Sequence, residues 1–194
     1  MEIDKNPTLE DVSFIIPTNR EKVYTLESTP DECPVFVERE GSLDQARNRG
    51  IRKAKTNIVI VCDDDIRFDK DFLNMVLSMM DENTLVGLED YYAMKWCIGR
   101  FMCFYKSDCE RAGMFDEKRM KYGGDDTDFC IRMEKVGVRI IRLSIDSVEH
   151  MYQEKDRPAT KEFESLFYLF RRHPRQMAIP AFKLIFRKLT GVEL

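Results

Sequence analysis

The stretch that decides the fold reads Asn57-Ile58-Val59-Ile60-Val61-Cys62-Asp63-Asp64-Asp65. Its apolar part is typical of a strand that is covered on both faces, as strands of parallel sheets are. In open α/β sheets, ligands bind beyond the carboxyl ends of the strands, which is where the three acids stand. Residues 57–65 therefore predict a central strand with a ligand site at its end.

Strand and helix signals alternate on both sides of this strand. Residues 12–16 and 34–38 are short β-rich runs, and residues 84–88 form another such run. Helical spacing is found in residues 42–54 and 69–80, and each stretch opens on a residue that can cap a helix, Ser42 and Asp69. This order predicts an α/β fold in which helices flank a mostly parallel sheet with right-handed crossovers.

The second half of the chain is less regular. Residues 101–105 predict a strand and residues 126–136 a helix, while residues 138–143 and 145–149 predict two short strands. After Pro158 the helical signal runs to the end, with interruptions at two later prolines, Pro174 and Pro180. We therefore predict a main α/β domain over residues 1–158 and a basic amphipathic helical tail over residues 159–194.

Composition excludes several classes of protein. The 194 residues, 43% hydrophobic and 34% charged, indicate a folded protein of about one domain. A formal charge of -4 argues against a general nucleic-acid binder. The charge is unevenly spread, because residues 171–194 carry six bases and one acid, a net +5, which leaves -9 for residues 1–170.

The six cysteines and the N-terminus predict a cytoplasmic location. No pair of cysteines has CxxC spacing, and several lie in apolar runs, so we expect buried, reduced thiols and no zinc site. No apolar stretch approaches the roughly 20 residues that a membrane span requires. The acidic N-terminal residues are unlike a signal peptide.

Three consecutive acids at residues 63–65 would repel one another without a nearby cation. Asp63 and Asp65 point to the same side of an extended chain, so they can share a hard divalent cation that prefers oxygen ligands and takes phosphate oxygens as well. The alternative is a solvated loop that caps the next helix. The place of the acids directly after an apolar strand favours the metal site.

A second acidic cluster reads Gly123-Gly124-Asp125-Asp126-Thr127-Asp128. Acids at a helix N-terminus are ordinary caps, but three acids behind paired glycines exceed what capping requires. The glycines allow the backbone to approach a ligand closely, and a carboxylate held there can take a proton from a hydroxyl nucleophile. His150, just after a late strand, is a candidate third metal ligand, with a structural role as the alternative.

An aromatic segment lies between the two acidic clusters. It contains Tyr91, Tyr92 and the single tryptophan, Trp96, followed by Gly99-Arg100. Aromatic faces suit the apolar face of a sugar ring, although the same rings can serve to pack a core. The segment is a candidate acceptor loop.

Together these motifs resemble the nucleotide-sugar glycosyltransferases of family 2, which have the GT-A fold. Residues 12–20 are similar to the opening strand and turn of that family, one residue shorter than usual. Residues 46–51 followed by residues 57–65 resemble its helix, strand and metal-binding DxD motif. Residues 113–117 leading to residues 123–129 resemble its acceptor-side motif, in which the second acid of the pair is the base.

The resemblance implies a role for particular residues on the donor side. The predicted donor contacts are Pro17, Thr18, Glu38, Glu40, Arg47, Asp63 and Asp64. Among these, Arg47 is expected near the sugar or the diphosphate. Asp65 is expected to bind Mn²⁺ or Mg²⁺ directly, with Asp63 and His150 as further ligands. The sequence departs from the family at residues 38–42, where Glu-Arg-Glu-Gly-Ser replaces Asp-Asp-Gly-Ser, so the nucleotide is left open.

The resemblance also implies the acceptor side and the reaction. Asp126 is expected to be the general base with Asp125 beside it, and the acceptor contacts are Gly124, Trp96, Gly99 and Arg100. We predict an inverting, metal-dependent, hexosyltransferase-like enzyme that moves a sugar from a nucleotide-diphosphate donor to a glycan or a lipid-linked acceptor. The alternatives are a magnesium phosphohydrolase, a nucleotidyltransferase, and a nucleotide-sugar-binding module without catalysis.

The tail permits two interpretations. Its apolar residues recur at helical spacing while its bases lie largely elsewhere, as in Phe182, Ile185, Phe186 and Leu189 against Lys183, Arg187 and Lys188. This pattern is typical of a helix that lies on anionic lipid, which would make the protein peripherally membrane-associated. It also fits a helix that is docked on the body with its charges in solvent.

Overall fold

A computed structural model of the protein describes residues 7–89, 95–118, 123–152 and 159–191. The first half contains β1 (Val12–Pro17), β2 (Val35–Glu38), α1 (Leu43–Lys53), β3 (Ile58–Cys62), β4 (Ile66–Arg67), α2 (Lys70–Ser78) and β5 (Thr84–Glu89). Both predicted helix caps are confirmed. The Gln45 amide donates to the Ser42 hydroxyl at 3.3 Å, and the Phe72 amide donates to the Asp69 carboxylate at 2.8 Å.

The second half contains β6 (Cys97–Tyr105), α3 (Lys106–Arg111), α4 (Asp125–Lys135), β7 (Arg139–Leu143), β8 (Glu149–His150), α5 (Ala159–Arg172) and α6 (Pro174–Thr190). The predicted strand over residues 145–149 is wrong. A 3-10 turn, Ile145–Ser147, forms there because Ser144 accepts a hydrogen bond from the Asp146 amide at 3.3 Å and bends the chain. Pro174 separates α5 from α6, as predicted, whereas Pro180 lies inside α6 and does not end it.

The main sheet has six strands in the order β2-β1-β3-β6-β5-β7. β1 pairs in parallel with β2 and β3, and β5 pairs in parallel with β7, while β6 runs antiparallel to both of its neighbours. The predicted mostly parallel sheet flanked by helices is confirmed. A second, two-stranded sheet pairs β4 with β8 and sets Ile66 opposite His150.

Two apolar clusters fill the two faces of the sheet. One contains Phe104 and Phe129 together with the buried side of α1, and the other contains Phe101 and Phe72 of α2. β3 is buried along its whole length, as its continuous apolar sequence predicts. All six cysteines are buried and unpaired, which confirms the expectation of free thiols.

The C-terminal helices pack on the body. Leu166 and Leu169 of α5 and Met177 and Ala181 of α6 belong to the same apolar cluster as Phe129. One face of the tail is therefore docked, as the second interpretation of its sequence requires. None of the helices in the described ranges is long and apolar enough to cross a membrane.

Candidate active site

The acids that follow β3 do not lie in extended chain. The backbone turns at Asp64 and Asp65, so the extended chain from which the pairing of Asp63 with Asp65 was predicted is not present. The Asp64 carboxylate accepts hydrogen bonds from the Thr18 hydroxyl and, at 2.7 Å, from Arg20. The same Arg20 nitrogen contacts Asp65 Oδ2 at 2.7 Å, so one arginine bridges two of the three acids.

Asp65 and His150 are brought together by the small sheet. His150 Nε2 lies 3.4 Å from Asp65 Oδ1, because the pairing of β4 with β8 places the late strand beside the turn. This Oδ1 atom is buried and accepts no hydrogen bond from the protein. A buried carboxylate oxygen normally has a partner, and a divalent cation held by oxygen and imidazole ligands would supply one. The residues present therefore fit a metal.

Asp63 lies within reach of the charges of Arg47, Asp65 and Arg100. Burial raises the pKa of Asp63 to about 7, although nearby Arg47 favours the ionised form. Within the part of the chain that the structure describes, no three His, Cys, Asp or Glu side chains already surround one point. Asp65 and His150 are thus the pair that the fold itself assembles.

The predicted nucleotide-pocket residues lie where β1 and β2 end. The Thr18 amide donates to the Glu38 carbonyl at 2.9 Å, next to buried Pro17. The Glu38 carboxylate is held by Arg49 at 2.5 Å and by Lys53 at 2.7 Å. Burial opposes ionisation of Glu38, but these two hydrogen bonds outweigh it and keep its pKa below the ordinary value. Its carboxylate thus serves to join β2 to α1.

Glu40 takes part in the same junction through its backbone. Its carbonyl accepts a hydrogen bond from Arg49 at 2.7 Å, while the residue itself is exposed. Of the two predicted donor contacts Glu38 and Glu40, Glu40 is the one that is exposed to solvent.

Arg47 joins α1 to the acceptor-side motif. Its Nη1 atom contacts Asp125 at 2.6 Å and Asp44 at 3.3 Å, and the guanidinium lies over the Phe115 ring, 4.9 Å from its centroid. The arginine is 2% exposed, and the carboxylates around it raise its pKa against the effect of burial. Arg47 thus bridges two parts of the chain that are distant in sequence.

Asp126 lies beside this bridge and is partly exposed. Its carboxylate accepts hydrogen bonds from the Gly99 amide at 3.0 Å and from the Thr127 amide at 2.8 Å. Gly99 has no side chain to occupy the space where the Arg47 guanidinium lies. The amide of Gly99 therefore orients the predicted base, while its missing Cβ makes room for Arg47.

The rest of the acceptor-side motif is covered by the C-terminal helices. Gly124 has a left-handed backbone, and a Cβ there would lie 3.1 Å from Leu169 of α5. Asp128 is fully buried, accepts hydrogen bonds from His173 at 2.7 Å and from Arg132 at 2.9 Å, and forms an ion pair with Arg172 at 2.9 Å. His173 could not be predicted as a partner of Asp128, because no local signal pairs it with an acid in a different helix.

The predicted acceptor loop is only partly described. Trp96 is fully buried, and its Nε1 donates to Glu134 of α4 at 2.8 Å, so we assign it to the core. Arg100 is buried too, and its carbonyl accepts from the Asp63 amide at 3.0 Å. Tyr91 and Tyr92 lie outside the described residues.

The stability of the protein is expected to fall as the pH rises towards neutrality, because of Asp44. Burial, with Asp125 nearby, raises the pKa of Asp44 to about 7, although Arg47 opposes this. An unfolded aspartate titrates near 3.9, so between about pH 4 and pH 7 the folded protein binds a proton that the unfolded chain has lost. Asp44→Asn removes this titration. Urea unfolding measures the free energy of unfolding at each pH. Between about pH 5 and about pH 7.5, this free energy should fall by roughly 2 kcal/mol less in the variant than in the wild type.

The exposed acid Asp71 of α2 provides the matched control for Asp44. Asp71→Asn should follow the pH dependence of the wild type. Equal pH dependence in Asp44→Asn and the wild type would contradict the assignment.

Two family models match overlapping parts of the chain. The model for glycosyl transferase family 2 matches residues 21–96, and the model described as the N-terminal domain of galactosyltransferase matches residues 85–156. These ranges contain both acidic clusters and the segment between them. Over residues 21–96 the chain is similar to the family 2 glycosyltransferases, and the two models together identify it as a glycosyltransferase. No curated protein sequence matches it.

Solved structures share the fold of this glycosyltransferase. The catalytic domain of Drosophila beta1,4galactosyltransferase 7, in complex with xylobiose, matches with a TM-score of 0.58 at 12% identity, covering 79% of this chain and 78% of the other. A mutant of that enzyme, in complex with manganese, UDP-Gal and xylobiose, matches with a TM-score of 0.57 at 12% identity, covering 78% of each chain.

A third match is the mannosyltransferase PcManGT from Pyrobaculum calidifontis, in complex with GDP-Man and Mn²⁺. Its TM-score is 0.57 at 17% identity, and the match covers 94% of this chain and 76% of the other. At such identities the likeness concerns the fold alone. The predicted GT-A fold is confirmed.

Proposed function

We propose that the protein transfers a sugar from a nucleotide-diphosphate donor to a hydroxyl of a glycan or lipid-linked acceptor, with inversion at the anomeric carbon. The observation that carries the proposal is the placement of two carboxylate sites around Arg47. Asp63, which directly follows β3, and Asp126, which the Gly99 amide orients, both act on Arg47 through their charge. In this proposal the acids that follow β3 serve the donor, and Asp126 serves the acceptor.

The solved structures with this fold support the choice of donor and metal. They hold UDP-Gal with manganese, GDP-Man with Mn²⁺, and xylobiose. In this chain Asp65 and His150 would hold a divalent cation, Mn²⁺ or Mg²⁺, with Asp63 close by. When bound, such a cation supplies a Lewis acid that offsets negative charge on the departing diphosphate.

A carboxylate of the chain itself accepts the proton that the acceptor hydroxyl loses in the reaction. Asp126 takes the proton of the acceptor hydroxyl while the oxygen of that hydroxyl forms a bond to the anomeric carbon of the donor. The bond from that carbon to the diphosphate breaks in the same step. A single displacement of this kind inverts the anomeric centre. The Gly99 amide keeps the Asp126 carboxylate in place during the step, since fixed geometry lowers the entropic cost of reaction.

Arg47 acts as a positioning residue for Asp126. Its guanidinium is buried and bound to Asp125, so it holds the N-terminus of α4, and with it Asp126, against α1. Asp125 is the partner through which Arg47 acts. Thr18 and Arg20 hold Asp64 in the corresponding way at the end of β3.

The six buried, unpaired thiols support a cytoplasmic location, because free cysteines persist in a reducing compartment. The acidic balance of the chain gives no support to a nucleic-acid partner.

A panel of nucleotide sugars, with and without Mn²⁺, tests the proposed function. A donor present at about 100 times its Kd adds about 2.7 kcal/mol, which raises the melting temperature of a protein of this size by roughly 5–10 °C. We expect this shift with at least one nucleotide sugar, and only when Mn²⁺ is present. Asp65→Asn should abolish the metal-dependent part of the shift, because it removes the buried anionic oxygen.

The exposed acid Asp71 again provides the control, and Asp71→Asn should retain the full shift. The absence of a metal-dependent shift with every nucleotide sugar would overturn the proposal. Release of inorganic phosphate from a phosphate ester would instead favour a phosphohydrolase. Metal-dependent binding without transfer or hydrolysis of the donor would favour a binding module.

A further inference from the structure

The two C-terminal helices each have a buried face and an exposed apolar face. The buried faces carry Leu166, Leu169, Met177 and Ala181 into the core. Neighbouring faces of the same helices expose an outer ridge, which we define as Phe163, Phe167, Phe170, Ile179, Phe182 and Ile185. Phe167 is 70% exposed, Ile179 69% and Phe182 62%.

The outer ridge is ordered along each helix. Phe163, Phe167 and Phe170 follow the i, i+4, i+7 spacing that places side chains on one face of α5. Ile179 and Phe182 share a face of α6, three residues apart. Within the described ranges, nine large apolar side chains are exposed, and six of them belong to this ridge. Such a concentration marks an interaction surface, whereas scattered single residues would not.

The charge around the ridge selects the kind of partner. The two helices, residues 159–190, carry seven bases and two acids, a net +5, and their exposed charges include Arg171, Arg175 and Lys183 against one acid, Glu164. A second copy of the chain would bring two positively charged segments together and be repelled. An anionic lipid surface offers opposite charge to the bases and an apolar boundary to the phenylalanines.

We propose that the outer ridge docks on an anionic membrane surface, with α5 and α6 lying in the interface. The helices do not span the bilayer, and their buried faces keep them attached to the catalytic body. This makes the protein a peripheral binder whose attachment is independent of its donor and metal.

The docked helices fix where the acceptor-side motif stands relative to the lipid. Leu169 covers Gly124, while Arg172 and His173 hold Asp128 at 2.9 and 2.7 Å. The motif that carries Asp126 therefore rests on the inner side of the helices whose outer side contacts lipid. If the proposed function holds, on which this one step rests, the arrangement suits an acceptor whose lipid tail stays in the membrane.

Vesicle flotation with the full chain tests the docking, and it needs no donor. We expect binding to vesicles that contain phosphatidylserine, weaker binding to pure phosphatidylcholine vesicles, and loss of the difference at high salt. Phe167→Ser combined with Phe182→Ser should weaken the partition constant by at least about tenfold, because two exposed aromatic anchors are removed. Arg171→Glu combined with Arg175→Glu should abolish the preference for anionic vesicles.

The matched control replaces two exposed apolar residues outside the ridge, Leu26→Ser with Met75→Ser, and should bind as the wild type does. Light scattering after size exclusion measures the mass of each variant. Equal vesicle binding by the ridge variant and the control would overturn the proposal. The proposal would also be overturned if the wild type formed a dimer and bound no vesicles, and the ridge variant were a monomer. The ridge would then be an interface between two copies of the chain. Failure of sugar transfer leaves these readouts unchanged, so the two proposals fail separately.

Discussion

Asp126→Asn is expected to reduce sugar transfer by about 10²–10⁴-fold, which is the usual contribution of a general base. The asparagine keeps the shape of the side chain and an oxygen that can accept the hydrogen bond of the Gly99 amide. It cannot take a proton from the acceptor. The rate of transfer at saturating donor, measured with the donor that the nucleotide-sugar panel identifies, should fall while the metal-dependent thermal shift persists.

The split between the two readouts distinguishes a base from a structural acid. A residue that merely supported the site would change both donor binding and transfer when it was replaced. Asp71→Asn, at an exposed position in the first turn of α2, should change neither. Full transfer activity in Asp126→Asn would refute the assignment of the base.

Arg47→Met is expected to destabilise the protein by about 3–5 kcal/mol, because it leaves buried carboxylates without their counter-charge. Arg47 is 2% exposed and contacts both Asp44 and Asp125. The loss is smaller at about pH 5.5 than at about pH 7.5, since Asp44 binds a proton readily and its burial then costs less. Urea unfolding at the two pH values measures both effects.

Arg52, on the same helix, gives the matched control. It is 60% exposed at its side chain and forms an ion pair with Glu117 at 2.7 Å. Arg52→Met should cost no more than about 1 kcal/mol, as exposed ion pairs do, and should show no comparable dependence on pH. Similar losses for the two variants would show that the Arg47 bridge is not a buried network.

The elements with strong local signals could be predicted from the sequence. An unbroken apolar run predicts β3. Residues whose side chains can cap a helix predict where α1 and α2 begin. The direction of β6 could not be predicted in this way. Its antiparallel place between β3 and β5 is decided by pairing with strands elsewhere in the sheet, which no local pattern records.

The candidate site shows the same division. The two acidic clusters and His150 were found from residue type and position, because their chemistry is visible in the sequence. The partners that hold them were not. Arg47 meets Asp125, and His173 meets Asp128, only after helices from distant parts of the chain pack together. Trp96 shows the converse, since a rare aromatic residue in a candidate loop became part of the core.

The pairing of β4 with β8 has a consequence for the order of assembly during synthesis. β4 and the three acids before it leave the ribosome early, whereas His150 belongs to a two-residue strand that is made much later. A nascent chain therefore contains the three acids well before His150, whose imidazole lies beside Asp65, has been synthesised. β8 is the last strand to be synthesised, so a chain released before it would keep the acids and lack His150.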